Sequence, residues 1–211
     1  MIHDFFLYIV PISTVSNLNF SSDQDKYQMG WEFRVFSPLE SATALVDPSK
    51  QKECRSDTYI VVSDRVGLKY RHGSQLEVKT KQKISKSSQY IEKWEKHHGQ
   101  NIENLESLLK NLKIYGTDEQ EALAKMTTFK TNKRRKTWIK GMVTIEQTDI
   151  EVTIHESMKK WRSWCVEGSE NDIFKWIQEN CATLEKQKEL FGPDHFISSY
   201  AAFVVNVLGH N

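Results

Sequence analysis

The chain has 211 residues, and its 29 Lys+Arg and 28 Asp+Glu leave a formal net charge of +1 with His neutral. It is 38% hydrophobic and 27% charged, and its 6 Trp, 7 Tyr and 10 Phe can fill the core of one large domain or two small ones. These figures exclude a disordered chain, which is poor in aromatics and far from neutral, and a non-specific nucleic-acid binder, which carries a strong basic excess.

The N-terminal apolar run Phe5-Phe6-Leu7-Tyr8-Ile9-Val10 follows Asp4 and meets Pro11, with no basic segment ahead of it. It is read as a strand or a partly ordered extension rather than a signal segment. The polar stretch Ser21–Lys26 reads as a loop, so residues 1–28 are set apart as an N-terminal extension and residues 29–211 as the domain. From Gly30 the pattern turns to strict alternation: Trp31, Phe33 and Val35 share one face, and Gly30, Glu32 and Arg34 the other, until Ser37-Pro38. Period-two alternation is the mark of a strand with two unlike faces. Asp47-Pro48-Ser49 marks a turn in an otherwise ambiguous stretch.

A second group of strands follows. Thr58, Ile60 and Val62 alternate with Asp57, Tyr59 and Val61, and then Val66, Leu68 and Tyr70 with Gly67, Lys69 and Arg71. His72-Gly73-Ser74 is a hairpin signal leading into Leu76, Val78 and Thr80, which alternate with Glu77, Lys79 and Lys81. The stretch Ser85–Ile114 reads as helical: Leu105, Leu108, Leu109 and Leu112 recur at helical spacing, and Ile91 and Trp94 suggest an earlier turn. Lys140-Gly141 predicts a hairpin between strands near 128–139 and 142–150, with a further strand over 161–167. Ser169-Glu170-Asn171-Asp172 caps a helix whose apolar face holds Ile173, Trp176 and Ile177. Ser198-Ser199 opens a final helix through Tyr200, Phe203, Val204 and Val207.

The charges are placed more tellingly than their total suggests. Arg34, Lys69, Arg71, Lys79, Lys133 and Arg135 fall on the polar faces of these strands, with Glu32, Glu77, Glu146 and Glu167 in equivalent places. An antiparallel sheet with one solvated face gives this pattern and is the commoner arrangement. A closed barrel with its polar faces turned inward gives it too. Its lysines and arginines would then line a lumen that binds a polyanion, since such charges stay buried only when paired. Glutamates beside a phosphate site call for a divalent cation between them, and carboxylates plus phosphates are the usual ligands of magnesium.

At these residues the sequence resembles the CYTH, or triphosphate tunnel metalloenzyme, superfamily, which includes thiamine triphosphatases, inorganic tripolyphosphatases, class IV adenylate cyclases and fungal-type RNA triphosphatases. Gly30-Trp31-Glu32-Phe33-Arg34 stands where that family opens with Glu-x-Glu-x-Lys. Asp57-Thr58-Tyr59 resembles its Asp-x-Tyr, Leu68-Lys69-Tyr70-Arg71 its Leu-Arg-x-Arg, and Leu76-Glu77-Val78-Lys79 the strand whose lysine contacts phosphate. Lys133 to Trp138 resembles its Lys-x-Arg-x-x-aromatic pattern, and Val143 to Glu146 stands where an acidic metal ligand is expected. Trp164-Cys165-Val166-Glu167 stands at a Glu-x-Glu, and Ser199-Tyr200 resembles a Ser-Tyr near the family's C-terminus.

The resemblance implies an α+β fold, an eight-stranded antiparallel β-barrel forming a tunnel with amphipathic helices outside. It implies a metal-dependent phosphohydrolase acting on inorganic tripolyphosphate or on a small molecule carrying a triphosphate. Glu32, Glu146 and Glu167 would be catalytic and would hold Mg²⁺ or Mn²⁺. Arg34, Lys69, Arg71, Glu77, Lys79, Lys133 and Arg135 would form the substrate-binding set. Gly30, Arg34 and Cys165 depart from the family pattern, removing two carboxylates and turning a compact ammonium into a planar fork. These departures bear on catalysis more than on phosphate binding, and the alternative reading is a weak or inactive module that binds a phosphorylated ligand or partner.

The remaining features point to blander roles. Cys54, Cys165 and Cys181 are scattered and odd in number, without CxxC, which suits reduced thiols in an intracellular, cytoplasmic protein. His72 and His97-His98 read as surface histidines, and no HExxH accompanies them. No phosphate-binding glycine loop or nucleophile elbow is present, and no apolar run is long enough to span a membrane. The short basic run Lys133–Lys136 lies inside a strand, where an RNA 5′-triphosphate end remains a conceivable ligand but a long nucleic-acid track does not. The Leu105–Leu112 stripe reads as helix packing, and Lys159, Lys160 and Arg162 as a solvated rim.

Overall fold

A computed structural model of the protein describes residues 27–43, 52–72, 75–100, 128–154 and 157–205, with the side chains of 27–29, 52, 97–100 and 154 outside that description. In chain order the elements are β1 (Tyr27–Pro38), β2 (Lys52–Ser63), β3 (Val66–Arg71), β4 (Gln75–Ile84), β5 (Ile91–Gln100), β6 (Thr128–Lys140), β7 (Val143–Ile154) and β8 (Ser157–Gly168). Helices α1 (Glu170–Asn180) and α2 (Leu184–Phe191), the short strand β9 (Phe196–Ile197) and the single turn α3 (Tyr200–Phe203) complete it. The N-terminal extension, the Asp47–Ser49 turn, Gly73-Ser74, the Leu105–Leu112 stripe and Val207 lie outside the described residues.

Strand pairing runs β5-β4-β3-β2-β6-β7-β8-β1, and β1 also pairs with β5, so eight antiparallel strands form a ring. Residues directly opposite each other share a face. The register therefore carries the sequence alternation around the ring: Glu32 faces Glu92 on β5 and Glu167 on β8, while Arg34 and Glu146 both face Cys165. Beyond Phe33, β5 has ended, and β9 takes its place beside Val35 and Phe36.

The two faces bury different things. Phe33, Val35, Ile91, Ile145, Trp164 and Val166 pack under Ile173 and Trp176 of α1 and Phe191 of α2. Phe33 holds its ring 6.5 Å from those of both Trp176 and Phe191. Covering an apolar face with helices stabilises by roughly 1.5–3 kcal/mol for each large side chain withdrawn from water. Ser169 caps α1, accepting a hydrogen bond from the backbone N–H of Asp172, as the sequence indicated.

The opposite face changes character along its length. Phe36 shares it with Glu32 and Arg34 but stacks on Phe203 of α3 at 4.1 Å, in a cluster with Tyr59, Phe129, Ile150 and Val152. One level is thus charged and the next aromatic.

Three elements, β5, α2 and β9, differ from the sequence reading. The helix expected over Ser85–Ile114 is, in its described part, a turn over 85–90 followed by strand β5, paired to β4 on one side and β1 on the other. Ile91 and Trp94 do not share a helical face; three residues apart on a strand, they point to opposite sides. Ile91 packs outward beside Phe33, and Trp94 lies across from Gly30 and Lys81 on the charged side. Helix α2, capped by Thr183, and the short strand β9 were not anticipated.

Candidate functional site

On the charged face a cavity of about 90 Å³ is walled by seven cations, Arg34, Arg55, Lys69, Arg71, Lys79, Lys96 and Arg135, and four glutamates, Glu32, Glu77, Glu146 and Glu167. Tyr59, Trp94 and Tyr200 supply aromatic wall, and Gly67 and Ala201 of α3 complete the lining. Nine of the ten residues expected from sequence meet in this cavity.

The tenth, Lys133, does not line it. Its fully buried ammonium donates to Asp57 Oδ2 at 2.9 Å and to the Tyr59 hydroxyl, and sits 4.5 and 4.3 Å from the Tyr59 and Tyr200 ring centroids. Burial pulls its pKa well below the ordinary lysine value, the neighbouring Lys69 adding to the effect and Asp57 opposing it.

Each buried carboxylate in the cavity is held by cations. Glu32 accepts from Lys79 Nζ at 2.9 Å and lies 3.9 Å from Arg34 Nε. Glu146 meets Arg34 at 3.5 Å and Arg135 at 2.9 Å, and also accepts from the Thr148 hydroxyl. Glu77 meets Lys69 at 2.9 Å, Arg71 at 2.8 Å and Lys96 at 3.3 Å. Burial would raise all three carboxyls, but these cations overcome it and hold each below the ordinary carboxylate range. The opposite balance holds at Lys69: burial outweighs Glu77 and Asp57 and brings its pKa down to about 8.

The cations are not fully spent on these partners. Among the described residues, the buried Nε–H groups of Arg34, Arg55, Arg71 and Arg135 make no hydrogen bond, although the first three lie 3.6–3.9 Å from a carboxylate oxygen of Glu32 or Asp57.

A second grouping concerns metals. One ligand atom each from Glu32, Cys165 and Glu167 lie within 4.8 Å of one another. Two carboxylates suit a hard divalent cation that takes its other ligands from phosphate oxygens and water. The thiol is a soft donor and a poor ligand for magnesium; burial pushes its pKa well up, which keeps it protonated and neutral. Glu146, expected beside Glu32 and Glu167, is turned toward Arg34 and Arg135. Gly30, where a carboxylate was expected, has open space beyond its Cα.

Sequence reasoning overlooked Arg55, Lys96 and Trp94 as cavity residues. Arg55 shares a β2 face with Asp57 and Tyr59, so extending that alternation backward by one step would have found it. Lys96 and Trp94 were hidden by the helical reading of β5.

No helix among the described residues is long and apolar enough to cross a membrane. No family model matches the chain, and no curated protein matches it. Among solved structures it is similar to one named "putative adenylate cyclase" from Bacillus halodurans, at 8% identity and a TM-score of 0.37, covering 79% of this chain and 93% of that one.

Proposed function

We propose that the ring is a tunnel that binds a triphosphate chain, and that the protein is a divalent-metal-dependent phosphohydrolase of inorganic tripolyphosphate or of a small molecule bearing a triphosphate. The observation that carries this reading is the convergence of seven Lys and Arg side chains on one small cavity. Linear polyphosphate is a dense acceptor with several negative charges, and arginine forks match phosphate geometry. Arg34, Arg55, Lys69, Arg71, Lys79, Lys96 and Arg135 would grip the phosphates.

Glu32 and Glu167 would hold Mg²⁺ or Mn²⁺, and Glu146 would join them on release from Arg34 and Arg135. When bound, such an ion supplies charge neutralisation at phosphate oxygens and a lowered pKa for a coordinated water. The chain's own contribution is to align the phosphates against Glu32 and Glu167 and to wall off water at the aromatic level beneath. Phosphate released from tripolyphosphate, thiamine triphosphate and ATP, with and without Mg²⁺ or Mn²⁺, tests the reading. Metal-dependent release absent from Glu32→Ala supports it, and release no greater than that of Glu32→Ala removes the enzyme from it.

Cys165 favours a second reading, binding without turnover. It puts a neutral thiol where the resemblance has a carboxylate, leaving two carboxylates in the metal set. On that reading tripolyphosphate raises the melting temperature and is not consumed.

A further inference from the structure

Of the buried carboxylates, Asp57 and Glu77 both engage Lys69 and Arg71, and they differ in one respect. Asp57 draws Lys133, Lys69, Arg55 and Arg71 at 2.9–3.9 Å but does not reach the cavity wall. Glu77 does reach it, although it is only 3% exposed. There Lys69, Arg71 and Lys96 close on its two oxygens at 2.8–3.3 Å, from strands β3 and β5 on either side of β4. Two ammoniums and a guanidinium gathered on one small anion form the set that would grip a phosphate group.

We propose that Glu77 is a built-in competitor for the phosphate ligand. In the ligand-free site it cancels the mutual repulsion of Lys69, Arg71 and Lys96, and a ligand must take those cations from it. Asp57 keeps Lys69 and Arg71 in place during the exchange, because it holds them from the far side at 3.5 and 3.9 Å. Glu77 thereby sets how much negative charge a ligand needs in order to bind. This inference rests on the polyphosphate reading of the cavity.

The test is calorimetric titration of tripolyphosphate and pyrophosphate into wild type, Glu77→Gln and Glu77→Asp, without metal, alongside melting curves of the ligand-free proteins. Glu77→Gln leaves seven cations against three glutamates around the cavity. Its affinity should rise about tenfold or more while its ligand-free melting temperature falls. Glu77→Asp keeps the charge but draws it back by one methylene, and should fall between the two. If Glu77→Gln does not fold, Glu77→Asp decides: tighter binding than wild type supports the competitor role, and equal or weaker binding overturns it. A purely structural Glu77 would make affinity and melting temperature fall together, which also overturns it. A wild type that binds while Glu77→Gln binds no tighter removes Glu77 alone. A wild type that binds neither anion removes the polyphosphate reading and Glu77's role with it.

Discussion

Replacing Lys133 with methionine separates a residue that builds the site from residues that would touch ligand. The lysine side chain is fully buried, and its ammonium serves Asp57, Tyr59 and the faces of two tyrosine rings. Methionine fills nearly the same volume, so the change is chiefly the loss of the charge. Breaking a buried ion pair from one side costs about 3–5 kcal/mol, because the other charge is left behind. Asp57 would keep Lys69 at 3.5 Å and Arg55 at 3.6 Å, which places the cost near the lower end. The lost cation–π contacts add roughly 1 kcal/mol. A total of about 3–4 kcal/mol lowers the melting temperature by about 6–16 °C in a chain of this size. Urea unfolding followed by tryptophan fluorescence measures it, and adding Asp57→Asn should recover part of the loss. Tripolyphosphate affinity of the folded Lys133→Met protein should stay within about threefold of wild type. Lost affinity with stability unchanged would refute the reasoning and return Lys133 to the substrate-binding set.

Three further outcomes follow from the geometry. Lys69 has a pKa of about 8, below its ordinary value of 10.5, so the cavity loses a positive charge as pH rises through about 8. Tripolyphosphate affinity should therefore weaken between pH 7 and 9, binding near pH 8 should take up protons, and Lys69→Arg should flatten both effects. The same shift makes Lys69 a cost to stability below about pH 8, and that cost fades as pH rises from there toward 10.5. Gly192, which ends α2 with φ 100°, admits no Cβ, since one would run into the Ser41 carbonyl oxygen; Gly192→Ala should lose at least about 2 kcal/mol in denaturant melts.

Where two unlike faces alternate cleanly, the strands were legible from sequence. Trp31, Phe33 and Val35 against Glu32 and Arg34 gave both β1 and its sidedness, and Lys140-Gly141 located the β6–β7 turn, where Gly141 takes φ 63°. What period two cannot decide is which face is enclosed. A solvated sheet and a ring share that pattern until β1 is seen to pair with both β5 and β8. β5 was misread because Glu and Lys crowd its sequence and its two large apolar residues lie three apart. Its strand form is imposed by neighbours on both sides, a long-range effect no local window contains. The site followed the same rule: Glu32, Arg34, Lys69, Arg71, Glu77 and Lys79 came from correctly read strands, and Lys96 was lost with β5. Lys133 was assigned to the correct face, but depth along that face depends on strand stagger and on where α3 inserts Tyr200.

The central claim is that the inward cations form one enclosed polyanion site. Thermal melting of the full chain with increasing tripolyphosphate, beside Lys79→Ala, tests it most directly. The account predicts a saturable rise in melting temperature for wild type, diminished at high salt and abolished in Lys79→Ala. No rise with any polyanion would contradict it, and so would an equal rise in Lys79→Ala.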